Sequence, residues 1–203
     1  MRSLLTPPHT SWTHRLTRLM VRPLVASAVT PNHLTTARLI TGIAACGAFA
    51  VGTESWDLPG GLLWIVSCLL DRADGELARL SGRTSPGGHQ YDYACDLIVN
   101  VLVFLAIGIG LRHSGLGWWA PALGLLAGLS VAIASVLSER LEKAADTGHK
   151  AYAGIAGFDF DDLLYLFAPA AWFGWFLYIL VGAAMVGPLL AILTTWRLRA
   201  LSG

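Results

Sequence analysis

The chain has 203 residues, of which 55% are hydrophobic and 13% charged, and its formal net charge is +1. This composition excludes an ordinary soluble domain and indicates an integral membrane protein. Nucleic-acid binding is not expected, because the net charge is nearly zero and the basic residues do not form a run. Cys46, Cys68 and Cys95 lie singly in apolar segments, which favours core packing over disulfides or a thiolate metal site.

Residues 1–30 form the first predicted unit, an N-terminal interfacial segment. Trp12, Leu16 and Leu19 recur at helical spacing, and Arg15 and Arg18 fall on another face. This pattern is typical of an amphipathic helix that lies in the headgroup layer, although an ordinary basic flank fits it equally well. The segment has no continuous apolar stretch before a small-residue cleavage site, so it is not predicted to be a signal peptide.

Residues 31–203 form the second predicted unit, an all-α integral membrane bundle of six transmembrane helices. Each apolar segment has close to the roughly 20 residues that a helix needs to cross a bilayer. The predicted spans are 33–52, 59–80, 88–112, 118–138, 163–181 and 183–198.

The lysines and arginines predict the orientation of these spans. Most of them precede the first span, follow the second or fourth span, or close the chain, whereas the opposite loops hold only Arg112. By the positive-inside rule, we expect a multi-pass protein of the cell membrane with both termini in the cytoplasm.

Four aspartates interrupt the second and third spans. At about 1.5 Å per residue, Asp71 and Asp74 lie roughly 15 and 10 Å from the inner end of their span, and Asp92 and Asp96 roughly 6 and 12 Å from theirs. The aspartates of each span share one helix face, because residues three and four apart stack on the same side. The four carboxylates should therefore converge near the cytoplasmic side of the membrane.

Such a cluster requires positive charge. Each ionised aspartate near the centre of a spanning helix costs about 2.5–3.5 kcal/mol, so four would cost on the order of 10 kcal/mol. Two divalent cations formally neutralise four carboxylates, and all-oxygen ligands suit Mg²⁺ or Mn²⁺ better than zinc. The sequence therefore predicts a two-metal site, which is typical of phosphoryl displacement.

The same residues match a known family signature. The stretch from Asp71 to Asp96 spells D-x2-D-G-x2-A-R-x8-G-x3-D-x3-D, which resembles the signature of the CDP-alcohol phosphotransferases at every specified position. The stretch TPNHLTTARLITG, residues 30–42, also resembles theirs. This family consists of six-helix membrane enzymes that are often dimers, so the resemblance implies a homodimer in a lipid bilayer.

The resemblance implies a reaction in which the hydroxyl of an acceptor alcohol attacks a CDP-linked alcohol and releases CMP, as in phospholipid biosynthesis. The implied metal ligands are Asp71, Asp74, Asp92 and Asp96. Asp96 is also the implied catalytic base. The nucleotide site is assigned to Asn32, Arg38, Gly75, Ala78, Arg79 and Gly88.

Two of the nucleotide-site residues have a second interpretation. Arg38 lies near the level of the carboxylates, where it either binds the donor phosphate or serves as a structural counter-ion. Asn32 follows Thr30 and Pro31, which suit the N-cap and first position of a helix, so a role in capping is the alternative to nucleotide contact.

The loop 139–162 is the predicted acceptor site. Arg140, Lys143 and Lys150 would suit a phosphorylated acceptor, whereas Asp159 and Asp161 would suit a polyol or a cation. Basic residues are usual at this place in the relatives that use phosphorylated acceptors, so the acidic stretch departs from their pattern. Helix capping by Asp161 or Asp162 is the alternative.

Two other functions also fit intramembrane carboxylates. A small ion- or proton-coupled transporter would use them as an ion pathway, but it would normally distribute polar residues across the bilayer and show repeated halves. A non-catalytic scaffold would need neither this spacing nor a metal.

Overall fold

The computed structural model describes residues 5–6, 11–145, 154–155 and 160–202. Over these residues the protein is all-α, as predicted. The helices are α1 (Trp12–Val21), α2 (Pro31–Val51), α3 (Glu54–Ser81), α4 (Pro86–Gly110), α5 (Trp119–Ala145), α6 (Phe167–Trp172) and α7 (Phe176–Ser202). Short 3₁₀ helices cover Arg22–Leu24, Leu111–His113 and Phe160–Leu166, and Leu5–Thr6 (β1) pairs antiparallel with Gly154–Ile155 (β2).

Capping residues set the ends of the helices that carry the aspartates. Thr30 caps α2, Pro31 takes its first position, and the Thr30 amide donates to His33 Nδ1 at 3.3 Å. At the end of α3, Gly82 adopts a left-handed φ of 66°, which a residue without a Cβ tolerates best. Ser85 then caps α4 by accepting from the Gly88 amide at 3.0 Å. Because only four residues join α3 to α4, their inner ends lie together.

The helices pack in an order that differs from their sequence order. α2 lies between α3 and α4 and packs along both, whereas α3 and α4 pack little along each other. The bundle continues from α4 to α5 to α7, while α1 and α6 pack on α3. Helix α2 thus lies against both helices that carry the aspartates, and the aspartates lie where α3 and α4 face each other beside α2.

Six spans are not confirmed. Among the described residues, four helices are long and apolar enough to cross a membrane: Pro31–Val51, Pro86–His113, Trp119–Leu141 and Phe176–Ala200. α3 has 28 residues, which at 1.5 Å each is about 42 Å, but its inner half carries too many charged residues to be counted as apolar.

The predicted continuous span over 163–181 is wrong. A 3₁₀ helix ends at Leu166, α6 has only six residues, and the chain turns at Gly174 with φ of 68° before α7 begins at Phe176. Apolarity alone did not reveal this break, because the residues on both sides of the turn are aromatic or aliphatic.

Aromatic side chains fill the core between α2, α3, α4, α6 and α7. Phe49 packs edge-on against Phe176 with ring centroids 4.8 Å apart, and Phe167 contacts Trp64 at 5.5 Å and Phe104 at 5.3 Å. The three cysteines are free and buried, as predicted. Trp56, Trp118, Trp119 and Trp175 are exposed near the helix ends remote from the aspartates, where tryptophans commonly meet the membrane interface.

Helix α1 turns its polar side inward. Thr13, His14 and Thr17 are buried, whereas Trp12, Leu16, Leu19 and Met20 are exposed. The inward side packs on the inner half of α3 and contacts charged residues there. This arrangement leaves an apolar face outward, as an interfacial helix requires.

Candidate active site

Three of the four predicted metal ligands meet at the gap between α3 and α4. Asp71 on α3 and Asp92 and Asp96 on α4 each offer one carboxylate oxygen, and these oxygens lie within 4.8 Å of one another. Asp74 is more deeply buried, and its Oδ2 accepts a 2.6 Å hydrogen bond from Thr35 on α2. Thr35 thus orients the fourth aspartate, a role that the sequence analysis did not assign.

Close contacts with α2 hold the aspartate helices in place. Ser67 on α3 donates to the carbonyl of Arg38 at 3.0 Å. A Cβ on Gly42 would lie 2.9 Å from both Ser67 Oγ and a Val99 methyl group of α4. Only glycine lets the three backbones approach this closely, and their approach brings aspartates from two helices into one cluster.

Arg38 is the positive charge within this cluster. Its side chain is only 4% exposed, with Nε 3.1 Å from Asp71 Oδ1 and Nη2 2.5 Å from Asp96 Oδ1. Neither of these Arg38–carboxylate contacts has the alignment of a hydrogen bond. The structure therefore favours the counter-ion interpretation of Arg38 and places it against the proposed base.

The cluster fits hard divalent cations. All of its donor atoms are carboxylate oxygens, which Mg²⁺ and Mn²⁺ prefer. In the described part of the chain, Asp92 Oδ1 is buried and accepts no hydrogen bond. A buried carboxylate oxygen without a partner is costly, and coordination to a cation would satisfy it.

Five of the six residues assigned to the nucleotide lie in two groups near the ends of α3 and α4 that the four-residue loop joins. On one side, a Cβ placed on Gly88 would lie 3.3 Å from Asn32 Oδ1, so these two residues adjoin each other. On the other, a Cβ on Gly75 would lie 3.4 Å from Nη1 and Nη2 of Arg79, while Ala78 is half-buried one turn further along α3. At Gly75 and Gly88, the absence of a Cβ leaves space next to Arg79 and Asn32.

The sequence analysis missed a buried carboxylate next to the motif. Glu76 on α3 is 1% exposed and contacts Arg18 at 2.8 Å, Arg79 at 2.8 Å and His14 at 3.0 Å. The hydrogen bond and charge of Glu76 raise the pKa of the Arg18 guanidinium, which keeps this side chain positive. The available signal was a third acidic residue within the second span, besides Asp71 and Asp74, that had no predicted role.

The predicted acceptor residues are only partly described. Arg140 and Lys143 lie exposed near the end of α5, and Lys143 pairs with Glu139 at 2.5 Å. Lys150, Asp159 and the side chain of Asp161 lie outside the described residues. His89 and Gln90, which precede Asp92 on α4, are exposed.

Asp162, for which helix capping was the expectation, connects three elements of the fold. Its carboxylate is buried, where it accepts from Arg72 Nη2 at 3.1 Å and from Thr13 Oγ1 at 2.8 Å. It therefore ties the 3₁₀ helix before α6 to α3 and α1.

Comparison with known proteins agrees with this geometry. A solved structure of Mycobacterium tuberculosis phosphatidylinositol phosphate synthase (PgsA1) with CDP-DAG bound has a similar fold, with a TM-score of 0.61 at 21% sequence identity over 92% of this chain and 91% of that chain. No curated protein matches the chain in sequence. The CDP-alcohol phosphatidyltransferase family profile matches residues 28–196, a region that contains the aspartate cluster, Arg38 and the whole motif. The chain is therefore a membrane enzyme that belongs to the CDP-alcohol phosphatidyltransferase family.

Proposed function

We propose that this enzyme transfers a substituted phosphate group from a CDP-linked alcohol to the hydroxyl of a second alcohol, with release of CMP. The product is a phosphodiester of the kind found in phospholipids. The observation that carries this proposal is the meeting of Asp71, Asp92 and Asp96 oxygens within 4.8 Å, beside the small residues of the motif.

Asp71, Asp74, Asp92 and Asp96 would hold two divalent cations. When bound, such ions supply charge neutralisation for the diphosphate and for the departing CMP. Thr35 holds the Asp74 carboxylate at 2.6 Å, so this ligand is oriented before any substrate arrives. Preorganised ligands contribute to catalysis because little reorganisation remains for the reaction itself.

Asp96 would take the proton of the acceptor hydroxyl. Asp96 lies one turn further along α4 than Asp92, and its carboxylate is half-buried next to Arg38. A carboxylate can act as a general base when it comes within hydrogen-bond reach of the hydroxyl. The attacking oxygen then forms a new bond to the phosphorus that carries the alcohol of the donor. The bond between that phosphorus and the bridging oxygen breaks, and CMP leaves with this oxygen.

The donor nucleotide would lie on the open side of the gap. Asn32 and Gly88 border it from α2 and α4, and Gly75, Ala78 and Arg79 from α3. The acceptor would enter from the end of α5, where Arg140 and Lys143 provide positive charge. The PgsA1 structure supports the donor class, since its ligand is CDP-DAG.

We further propose that both termini and the active site face the cytoplasm, that α1 lies in the membrane interface, and that the enzyme is a dimer. The distribution of lysine and arginine supports the orientation. The exposed Trp12, Leu16, Leu19 and Met20 support the position of α1. The dimeric state is inferred from the resemblance to the family.

CMP release tests the reaction. Purified protein is incubated with Mn²⁺, a panel of CDP-alcohols and a panel of acceptors, and the products are identified by mass spectrometry. We expect CMP and a phosphodiester to appear in equal amounts from at least one pair, and no CMP to appear with EDTA. CMP release unaffected by EDTA, or no product from any pair, would contradict the proposal.

A further inference from the structure

Glu76 connects the N-terminal helix to the predicted nucleotide site. Its Oε1 accepts from Arg79 Nη2 at 2.8 Å, and its Oε2 accepts from Arg18 Nε at 2.8 Å. His14 Nδ1 lies 3.0 Å from Oε1. The carboxylate is 1% exposed, so these contacts are shielded from water and hold its position firmly.

The hydrogen-bond pattern shows which of these partners carry charge. Arg72 Nη1 lies 2.9 Å from His14 Nε2, and an arginine can only donate, so Nε2 accepts and the histidine proton is on Nδ1. His14 is therefore neutral and donates to Glu76. The single negative charge of Glu76 faces two guanidinium groups, those of Arg18 and Arg79, and does not cancel the charge of Arg79.

The contact with Glu76 determines where this charge lies. Arg79 is 38% exposed, and a long exposed arginine would normally sample many rotamers. Here the Arg79 guanidinium lies over Gly75: a Cβ at that position would be 3.4 Å from both Nη1 and Nη2. Gly75 lies one turn after Asp71 on α3, so the guanidinium lies over a position on the helix face that carries Asp71.

We propose that Glu76 is a positioning residue for the donor site, which holds the Arg79 guanidinium over Gly75 ready to contact the diphosphate of a CDP-linked alcohol. The inference rests on the proposed function. Ordering Arg79 in advance lowers the entropic cost of the phosphate contact, so Glu76 strengthens donor binding without touching the donor. Because Arg18 and His14 contact Glu76, α1 takes part in the same arrangement although it lies outside the motif.

Binding of CDP in the presence of Mn²⁺ tests this inference, with isothermal titration calorimetry in detergent as the readout. Glu76→Gln removes the charge that holds Arg79, and we expect its Kd for CDP to rise about tenfold, as for the loss of a preorganised charge-assisted contact. Turnover at saturating donor should stay within about threefold of wild type, because Glu76 acts on binding and not on the chemical step. Glu54→Gln is the control: it removes an exposed carboxylate from the same helix at the end remote from the aspartates, and it should leave CDP affinity unchanged.

A double-mutant cycle separates positioning from general structural support. In an Arg79→Ala background, Glu76→Gln should have no further effect on CDP affinity, since its only route to the donor is gone. An equal loss in both backgrounds would overturn the inference. Glu76→Asp keeps the buried charge and withdraws the carboxylate by one methylene, so it serves if Glu76→Gln does not fold; we expect a Kd increase of about threefold that again requires Arg79.

The outcomes also distinguish this inference from the proposed function. If the wild-type protein binds CDP and Glu76→Gln binds it equally well, the positioning role is wrong and the proposed function stands. If the wild-type protein does not bind CDP with Mn²⁺, both are wrong.

Discussion

Replacing Arg38 tests whether the aspartate cluster depends on a resident positive charge. Arg38 is almost wholly buried, and its guanidinium is 3.1 Å from Asp71 and 2.5 Å from Asp96. Arg38→Gln keeps much of the side-chain length and polarity but removes the charge. In the metal-free protein, the carboxylates would then repel one another without a counter-ion.

The distances set the size of the expected effect. At 3.1 Å and an effective dielectric constant near 20, one ion pair gains about 5 kcal/mol of Coulomb energy. The cost of taking the guanidinium out of water offsets much of the gain, and removing one partner of a buried pair typically costs about 3–5 kcal/mol. We therefore expect Arg38→Gln to lower the free energy of unfolding by about 3–5 kcal/mol in EDTA.

Divalent cations should reverse most of this loss, because they supply the missing charge at the same carboxylates. At a concentration of 100 times its Kd, a bound ion stabilises the folded state by about 2.7 kcal/mol. The variant should bind Mn²⁺ more tightly than the wild type, since the ion no longer competes with a guanidinium. Mn²⁺ should thus stabilise the variant more than it stabilises the wild type.

Two measurements in detergent check this prediction: thermal unfolding with EDTA or a series of Mn²⁺ concentrations, and free Mn²⁺ by electron paramagnetic resonance. Arg112→Gln is the control, because Arg112 donates to the carbonyls of Ala50 and Ile109 and contacts no carboxylate of the cluster. Its loss of stability should not depend on Mn²⁺. Weaker Mn²⁺ binding by Arg38→Gln than by wild type would refute the reasoning and show that Arg38 supports the ligands instead.

Three further predictions concern chemistry, topology and the acceptor. Asp92→Asn should weaken Mn²⁺ binding and reduce CMP release at least about a hundredfold, and equal metal affinity in wild type and Asp92→Asn would contradict the ligand assignment. If Asp96 acts mainly as the base and only secondarily as a metal ligand, Asp96→Asn should lose turnover while it keeps substantial Mn²⁺ and CDP affinity. After the native cysteines are replaced, a cysteine introduced at Ser85 should react only with a thiol reagent on the cytoplasmic side, and one introduced at Ser55 only with reagent on the outside. The reverse labelling pattern would overturn the proposed orientation. If the acceptor is phosphorylated, Arg140→Ala should raise the acceptor KM more than the donor KM in steady-state assays, and an unchanged acceptor KM would place the acceptor elsewhere.

The aspartate cluster could be predicted from sequence because helical periodicity and depth are both readable from residue spacing. Asp71, Asp92 and Asp96 meet as the shared helix faces required. The N-cap at Thr30 also followed from a local signal, a threonine directly before a proline. In each case, the information lies within a few residues of the feature.

Other features depend on contacts between distant segments, which residue spacing does not reveal. The position of α2 between α3 and α4 comes from small residues such as Gly42 meeting Ser67 and Val99. The break before α7 is encoded by a single glycine in an apolar stretch, Gly174, whose left-handed conformation becomes evident only in the structure. The inward polar face of α1 was likewise missed, since its partner Glu76 lies 62 residues from His14.

These long-range contacts explain how a helix with many charges can be part of a membrane bundle. The inner half of α3 has charged side chains on two faces: Asp71 and Asp74 face the cluster, and Arg72 and Glu76 face α1 and the 3₁₀ helix. The first face is compensated by Arg38 and by the cations that the cluster fits, and the second by His14, Arg18 and Asp162. The polar face of α1 contacts Arg72 and Glu76. The opposite face of α1 is apolar, so this helix would separate the two charged residues from lipid. We therefore expect the N-terminal helix to have the same electrostatic role as Arg38, because each places positive charge against a carboxylate of α3.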